Sequence, residues 1–151
     1  MSNHRRRSGF TLIEVLIVVV IMAVLAATII PQFSSSTKDA QESSLKFNTH
    51  TMRSQIELYK VHHLGNYPTI QAAGLPQLTS ATNVSGTTGA AGADFPYGPY
   101  VDNELPTNPF NDSNGVTAGT GAAFIDDGTG WQFDVNTGGI WPNNSEYFAT
   151  E

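Results

Sequence analysis

The chain has 151 residues, of which 13% are charged, and its formal net charge is −6. This length allows one small domain and an anchoring segment. Three of the seven basic residues lie together at positions 5–7, so residues 10–151 carry four bases against thirteen acids, a net charge of −9. Such an acidic body argues against nucleic-acid binding, which needs a basic face. The chain contains no cysteine, so its fold uses no disulfide.

The first predicted element is an apolar run from Phe10 to Ile30. Its twenty-one residues would form about 31 Å of helix, enough to cross a hydrocarbon core of about 30 Å. The arginines at positions 5–7 predict that the N-terminus stays cytoplasmic and that the remainder of the chain lies outside. The run carries one charge, Glu14, and an ionisable side chain in a membrane span normally has a partner and a function.

Two other interpretations of this run are a secretory signal peptide, cut near Ala26 or Ala27, and an ordinary single-pass anchor. The apolar region of a signal peptide is shorter, about 7–15 residues, and neither interpretation explains Glu14. A helical pattern also continues after Pro31, where a signal peptide would show a polar break. The sequence therefore favours a span that takes part in assembly.

The pattern Gly9-Phe10-Thr11-Leu12-Ile13-Glu14 resembles the class III leader of type IV pilins and type II secretion pseudopilins. The resemblance implies that a prepilin peptidase cuts after Gly9 and that the new N-terminal residue, Phe10, is methylated. It also implies that Glu14 acts in filament assembly, and it makes residues 1–9 a leader peptide.

A physical argument supports the same role for Glu14. A free α-amino group and a carboxylate, with reference pKa values of about 8 and 4, are both charged at neutral pH. In lipid either charge alone is strongly disfavoured, whereas pairing offsets the penalty of each. Phe10 and Glu14 of one helix lie about one turn apart, so pairing within one chain is an alternative to pairing between subunits. Pairing between subunits would drive addition to a filament and set its register.

Pro31 predicts a kink or a break in the helix, because proline lacks an amide donor and its ring clashes with the preceding turn. One interpretation is a boundary between the membrane segment and the outer segment. The resemblance implies another, in which residues 23–31 unwind when subunits pack. A continuous, bent helix in the free subunit is the third possibility.

Residues 32–63 are predicted to continue the helix. Five side chains recur at steps of 7, 4, 3 and 4 residues, which is the spacing of one buried helical face: Leu45, Met52, Ile56, Tyr59 and His63. Gly65, Asn66 and Pro68 are strong stop signals, so the helix is expected to end there.

Residues 65–151 are predicted to form a small, loop-rich head with a modest core. Residues 79–93 have small side chains and predict a mobile loop, and the prolines within residues 105–110 exclude a central strand. Three strand candidates close the chain. They are Ala122–Asp126, the alternating Trp131–Val135 and the return strand Ile140–Trp141.

The sequence thus predicts an α+β, pilin-like fold. A long N-terminal helix, transmembrane in its first half, packs on a small C-terminal antiparallel sheet. The expected segments are the leader at 1–9, the membrane helix at 10–30, its amphipathic continuation at 31–64 and the head at 65–151.

A narrower resemblance lies in the head and at its junction with the helix. Asn66-Tyr67-Pro68, Gly98-Pro99-Tyr100 and Asn108-Pro109-Phe110 look like the major pseudopilins, the G-type subunits of type II secretion. Members of that group commonly bind calcium in a C-terminal loop. The candidates here are Asp126 and Asp127, which form the acidic cluster of that region, and Asp112, the nearest other acid. Calcium takes six to eight oxygens, so these aspartates could contribute but do not define a site. We favour a solvated Asp-Gly turn and expect no other cofactor.

No catalytic constellation is predicted. His62 and His63 lie at the helix end, where a cation interacts well with terminal carbonyls, and we expect them to be structural. The sequence contains no nucleophile elbow and no phosphate-binding glycine loop. We therefore expect no enzyme activity.

The sequence and the resemblance together predict a structural subunit of a type II secretion pseudopilus, which polymerises through its N-terminal helix to drive protein export. The alternative is a major or minor pilin of a type IV pilus, used for adhesion, motility or DNA uptake. A membrane-anchored binding module that does not polymerise is a third class. Expected partners are further copies of the chain, minor pseudopilins, the prepilin peptidase and an inner-membrane assembly platform. The expected location is the bacterial inner membrane, with the head in the periplasm.

Overall fold

The computed structural model describes residues 9–123, 125–126 and 128–148, and at residues 30–35, 146 and 148 it describes the backbone alone. Two compact units divide the chain, residues 1–40 and residues 41–151. The first contains the start of a long helix. The second contains the rest of that helix together with all the described strands, so the outer part of the helix and the head form one packed body.

The long helix, α1, runs from Leu12 to His62 without interruption in its secondary structure. Its backbone is helical at Pro31, where a kink or a break was predicted, so the described chain contains no break there. At the other end the Gly65 amide donates to the carbonyl of Lys60 at 2.9 Å, and Leu64 and Gly65 have φ values of 57° and 89°. This left-handed turn closes the helix next to the predicted stop signals.

The predicted buried face of α1 is confirmed. All five predicted side chains are at most 5% exposed, and Met52 and Ile56 are fully buried. The four apolar or aromatic members, all except His63, join one hydrophobic core with side chains from the head, including Leu75, Leu78 and Trp131. The helical spacing of these residues was sufficient to predict which side of the helix packs on the head.

Two short strands occupy the segment predicted to be a mobile loop, and a short helix directly precedes them. Helix α2 spans Pro76–Thr79, and strands β1 (Ala81–Thr82) and β2 (Thr88–Gly89) form an antiparallel pair. The prediction of a loop over residues 79–93 was therefore wrong for these residues. The small side chains of this segment show no strand pattern, so the pairing could not be predicted from them. Thr82 is nevertheless fully buried, and its backbone amide and carbonyl both form hydrogen bonds with the backbone of Tyr97.

A second sheet has three strands in the order β3-β4-β5. They are Val116–Ala118, Trp131–Phe133 and Ile140–Pro142, and a short helix, α3, follows at Ser145–Phe148. The last two strands confirm the predicted positions of a strand at Trp131 and of its return strand. β4 and β5 are antiparallel, with Phe133 opposite Ile140.

The pairing of β3 with β4 is parallel, with Val116 opposite Trp131. A parallel pair needs a crossover of about a dozen residues, and residues 119–130 supply it. The strand predicted over Ala122–Asp126 falls inside this crossover, and none of its described residues is in a strand, so that prediction was wrong. Residues 116–118 were not predicted as a strand at all.

The crossover also changes the environment of β4. The alternation of Trp131, Phe133 and Val135 with Gln132 and Asp134 is typical of a half-buried strand, in which Gln132 would face solvent, yet Gln132 is only 1% exposed. Its Nε2 donates to the Ala123 carbonyl at 2.7 Å and to Asn143 Oδ1 at 3.0 Å, and its Oε1 accepts from the Gly121 amide at 3.2 Å. The strand is therefore covered on both faces. The α+β fold class is confirmed, with one parallel pairing in the head sheet.

Candidate assembly site

The start of α1 is fixed by a reciprocal pair of hydrogen bonds between Thr11 and Glu14. The Thr11 amide and hydroxyl donate to Glu14 Oε2 at 2.8 and 2.6 Å, and the Glu14 amide donates to Thr11 Oγ1 at 3.3 Å. Thr11 directly precedes the first helical residue, Leu12, so the arrangement is a capping box. It satisfies amide groups that a helix terminus otherwise leaves without partners. The pattern Thr-x-x-Glu could have revealed this second role of Glu14, which the prediction missed.

The cap leaves Glu14 able to accept a further donor. All the hydrogen bonds that Glu14 accepts from Thr11 end on Oε2, so they do not use Oε1. A carboxylate accepts at about four lone-pair positions, and a charged donor forms the stronger kind of hydrogen bond. The geometry of the helix start is thus compatible with both a cap and an ion pair at one side chain.

The predicted cleavage position lies just outside the helix. Gly9 and Phe10 are in neither a helix nor a strand, and the Phe10 side chain is 81% exposed. A side chain built at Gly9 would meet no atom within 4 Å. The peptide bond between these residues is therefore accessible in the described structure, while the capping box begins one residue after Phe10. Cleavage and methylation at these residues stay predictions.

The first part of α1 has the length and composition of a membrane span. Leu12–Ile29 has a mean hydropathy of 3.0, and none of it is buried inside the protein. Apolar side chains surround the helix on all sides, as in a segment whose environment is apolar. This apolar window starts at the capping box, so Glu14 lies in the first turn of the candidate span.

Three side chains of α1 donate hydrogen bonds to backbone carbonyls of the head, and no sequence pattern predicted these contacts. Gln41 Nε2 donates to Pro109 O at 2.8 Å, and Asn48 Nδ2 donates to Thr107 O at 3.1 Å. Arg53 donates twice to Ile140 O, at 3.2 Å from Nε and 3.0 Å from Nη2. These bonds fix the helix against two loops and the start of β5. A polar residue on an otherwise wet helical face carries no sequence signal for such a contact.

The two histidines at the helix end contact neighbouring polar and aromatic groups. His63 is buried and stacks on Tyr59, with Nδ1 2.7 Å from the Tyr59 carbonyl and Nε2 3.0 Å from Thr82 Oγ1. His62 Nδ1 lies 2.9 Å from the Tyr100 hydroxyl. These contacts support the predicted structural role, because both rings join the helix end to the head.

The described aspartates do not by themselves make a calcium site. Asp126 Oδ1 accepts from the Gly128 and Thr129 amides at 2.8 and 3.1 Å, so it already fixes a turn. Asp112 has a φ of 51° in another loop, and Asp127 lies outside the described residues. Within those residues no group of three or more acidic, histidine or cysteine side chains could hold a metal ion. Calcium binding stays a prediction, tested by a titration that follows the melting temperature of the protein.

Comparison with known proteins bears on the leader and on up to 72% of the chain. Residues 4–30 match the model of the prokaryotic N-terminal methylation motif. The chain is also similar to type II secretion system core protein G of Pseudomonas aeruginosa, with 37% identity over 69 residues, or 46% of this chain and 48% of that protein.

Two further relatives with the same name extend the alignment. The protein of Dickeya chrysanthemi is 30% identical over 71% of this chain and 65% of its own length. That of Escherichia coli is 29% identical over 72% of this chain and 77% of its own length. The chain thus spans about half the length of the Pseudomonas aeruginosa protein and 65% of the length of the Dickeya chrysanthemi protein. No solved structure matches the chain. The chain therefore carries the prokaryotic N-terminal methylation motif, and its predicted similarity to the G-type major pseudopilins is confirmed.

Proposed function

We propose that the chain is a structural subunit of a type II secretion pseudopilus, a filament that grows by helix addition and drives protein export. The observation that carries this proposal is Glu14, the one acid in an otherwise uncharged span, held in the first helical turn within the matched methylation motif. The similarity to core protein G over most of the chain supports the secretion role. No observation favours an enzyme activity or the type IV pilus alternative.

Cleavage after Gly9 would create a charged α-amino group at Phe10. Thr11 and Glu14 both follow the cut, so the capping box survives it. The mature helix then begins with a positive chain end and a carboxylate that has a free side, both at the edge of the hydrocarbon region. An incoming amine can pair with Glu14 of the adjacent subunit without disrupting the cap. Because an isolated charge is costly in lipid, this pairing favours addition of a subunit and fixes its axial position.

Location and partners follow from the same proposal. The span holds the subunit in the bacterial inner membrane, and the arginines at positions 5–7 keep its N-terminus cytoplasmic, which places the head in the periplasm. The leader requires a prepilin peptidase. Growth of the filament requires an inner-membrane assembly platform, minor pseudopilins and many copies of this chain. Nucleic acid is not expected among its partners.

Pro31 has a separate part in the proposal. Proline cannot donate to the carbonyl four residues earlier, so the helix lacks one hydrogen bond there even when its backbone stays helical. The missing bond lowers the cost of unwinding residues 23–31 as subunits pack. A filament with such a segment would extend under load.

Two substitutions at Glu14 test the role of its charge. Glu14→Ala removes the cap and the charge, whereas Glu14→Gln removes only the charge, since glutamine also serves in a capping box. We expect both variants to be cleaved normally, as followed by the size of the mature chain. We also expect both to assemble poorly, as followed by filament yield and by export of secreted enzymes. Glu57→Gln, on the exposed outer part of α1, is the matched control and should assemble normally.

The outcomes separate the possible roles. Normal filament yield from Glu14→Gln together with loss from Glu14→Ala would show that only the cap matters and would refute the pairing. Intact export after deletion of the gene, combined with loss of surface filaments, would assign the chain to a type IV pilus. A precursor that the prepilin peptidase leaves uncut would point to the anchored module.

A further inference from the structure

The crossover of residues 119–130 is the C-terminal loop in which the resemblance implies calcium, because it contains Asp126 and Asp127. Calcium binds six to eight oxygens, taken from carboxylates, carbonyl groups and side-chain amides. The crossover therefore fits the ion only if enough of its oxygens are free of hydrogen-bond donors. The described part of this loop, residues 119–123, 125–126 and 128–130, shows what those oxygens already bind.

Amide side chains from outside the crossover donate hydrogen bonds to three of its carbonyl oxygens. The bonds are Gln132 Nε2 to Ala123 O at 2.7 Å, Asn111 Nδ2 to Thr129 O at 3.0 Å and Asn108 Nδ2 to Gly130 O at 3.0 Å. Each donor directs a partly positive hydrogen at the oxygen that it bonds. A cation at the same oxygen would be repelled by that hydrogen, so these carbonyls are poor calcium ligands.

The same kind of side chain also satisfies backbone amides of the crossover. The Gly121 amide donates to Gln132 Oε1 at 3.2 Å. The Ile125 amide donates to Asn143 Oδ1, also at 3.2 Å, and Asn143 Nδ2 donates to Thr129 Oγ1 at 2.7 Å. Gln132 and Asn143 are at most 1% exposed and bond to each other at 3.0 Å. Calcium binds oxygens only, whereas these amides pair with donors and acceptors of the loop together.

Two further side chains agree with a loop closed by hydrogen bonds. Asp126 accepts from the Gly128 and Thr129 amides through Oδ1, which leaves Oδ2 as one carboxylate oxygen against the six to eight that calcium takes. Among the described residues, the buried side-chain atom without a hydrogen-bond partner is Asn144 Nδ2. This atom is a donor, so it suits an acceptor such as a water oxygen and repels a cation.

We propose that four amide side chains close the crossover in place of a calcium ion, so that the head folds and stays folded without calcium. This amide network consists of Asn108, Asn111, Gln132 and Asn143. Its members are neutral, so they supply none of the negative charge that strengthens calcium binding. In this respect the chain differs from the calcium-binding pseudopilins that it resembles. The inference goes beyond the proposed function, because it concerns the head and holds whether the filament serves secretion or a pilus.

Thermal unfolding of the unchanged full-length chain in detergent, with calcium chloride or with EDTA, is the first test. We expect the two melting temperatures to agree within about 2 °C, because no calcium ion is needed to close the loop. If the folded head bound calcium, a hundredfold excess over the dissociation constant would raise the melting temperature by about 10–20 °C. A rise of that size would overturn the inference.

Substitution of the network is the second test. Asn111→Ala removes the bonds to the Thr129 carbonyl and, at 3.1 Å, to the Asn143 carbonyl. Two bonds of average strength predict a melting temperature lower by about 8–16 °C, equally with calcium and with EDTA. Asn136→Ala is the matched control, because the Asn136 side chain bonds to Asp134 at the exposed surface, and it should melt within about 3 °C of the unchanged chain.

The outcomes of these measurements separate the two ways of closing the loop. Equal melting temperatures for Asn111→Ala and Asn136→Ala would refute the network. Recovery of the melting temperature of Asn111→Ala by calcium would show that the ion stabilises the loop and would also overturn the inference. Asp126→Asn keeps an acceptor for the turn and removes the charge, so it should melt within about 3 °C of the unchanged chain in both solutions. A decrease seen only with calcium would identify Asp126 as a calcium ligand and refute the inference. Should Asn111→Ala fail to fold, the comparison of calcium with EDTA on the unchanged chain still decides between the two.

Discussion

Asn108 provides the sharpest test of how the head is held together. Its side chain is fully buried where three loops meet. Its Nδ2 donates to the Gly130 carbonyl at 3.0 Å and to Asn144 Oδ1 at 2.9 Å, and its Oδ1 accepts from the Phe110 amide at 3.0 Å. Asn108→Ala therefore removes three hydrogen bonds and leaves three groups without that partner.

The magnitude follows from these three bonds. A hydrogen bond contributes about 0.5–1.5 kcal/mol net, and a buried group left unpaired costs at least as much. Asn108→Ala should therefore lower the free energy of unfolding by about 2–4 kcal/mol. For a domain of about a hundred residues, 1 kcal/mol shifts the melting temperature by about 4–8 °C, so we expect a decrease of about 8–32 °C.

Thermal unfolding of the full-length chain in detergent, followed by circular dichroism, measures this effect. Asn114→Ala is the control. The side-chain amide of Asn114 also donates a hydrogen bond, to Glu104 at 3.0 Å, but this bond lies at the surface. We expect its melting temperature to stay within about 3 °C of the unchanged chain. The reasoning fails if Asn108→Ala and Asn114→Ala unfold at the same temperature.

Two further predictions concern the turn between β4 and β5. Gly138 has a φ of 72°, and an added Cβ would overlap the Tyr67 ring. Gly138→Ala should therefore lower the free energy of unfolding, measured by denaturant titration, by at least about 2 kcal/mol. Gly92→Ala is the control and should change it little, because a Cβ at Gly92 would lie 3.9 Å from its nearest atom. A result in which both alanines are equally tolerated would contradict this account of the turn. Hydrogen bonds from the Asn136 amide and the Thr137 hydroxyl lower the pKa of Asp134 below its ordinary value of 3.8. The stabilisation is therefore present above that value and lost as the pH falls through the lower folded-state pKa, so Asp134→Ala should lower the melting temperature more at neutral pH than in acid well below pH 3.8. An equal decrease at both pH values would exclude the carboxylate as its source.

Helical periodicity predicted the part of the fold that depends on a long repeated pattern. The five buried residues of α1, its end near Gly65 and the packing of its outer half against the head could all be predicted from spacing and stop signals. A pattern repeated over twenty residues is hard to produce by chance, and the burial of one face dominates the energetics of such a helix.

The strands of the head were harder to predict because they are only two or three residues long. Val116–Ala118 has too few residues to show alternation, and it is placed by parallel pairing across a crossover. Gln132 was predicted to be exposed because period-two alternation assumes one solvated face. That assumption fails here, because the crossover covers β4 and forms hydrogen bonds with the side-chain amide of Gln132.

At the helix start the sequence contains a capping-box pattern that was not predicted. Glu14 is a costly charge in an apolar run, which predicts a role in assembly. The same residue stands three positions after Thr11, the spacing of a capping box, and the structure shows those bonds. A charged residue in a span can thus have a local structural partner and an intermolecular one.

The outer part of α1 and the head are held together by two kinds of contact. Three side chains of α1 bond to head carbonyls and contribute about 2–4 kcal/mol together. The apolar side chains of the buried face, such as Met52 and Ile56, each contribute about 1.5–3 kcal/mol, so four of them outweigh the three polar contacts. Apolar burial therefore holds the head to the helix, while the directional bonds set the register between them. In the proposed filament, the head would therefore stay attached to the outer part of α1 chiefly through this buried face.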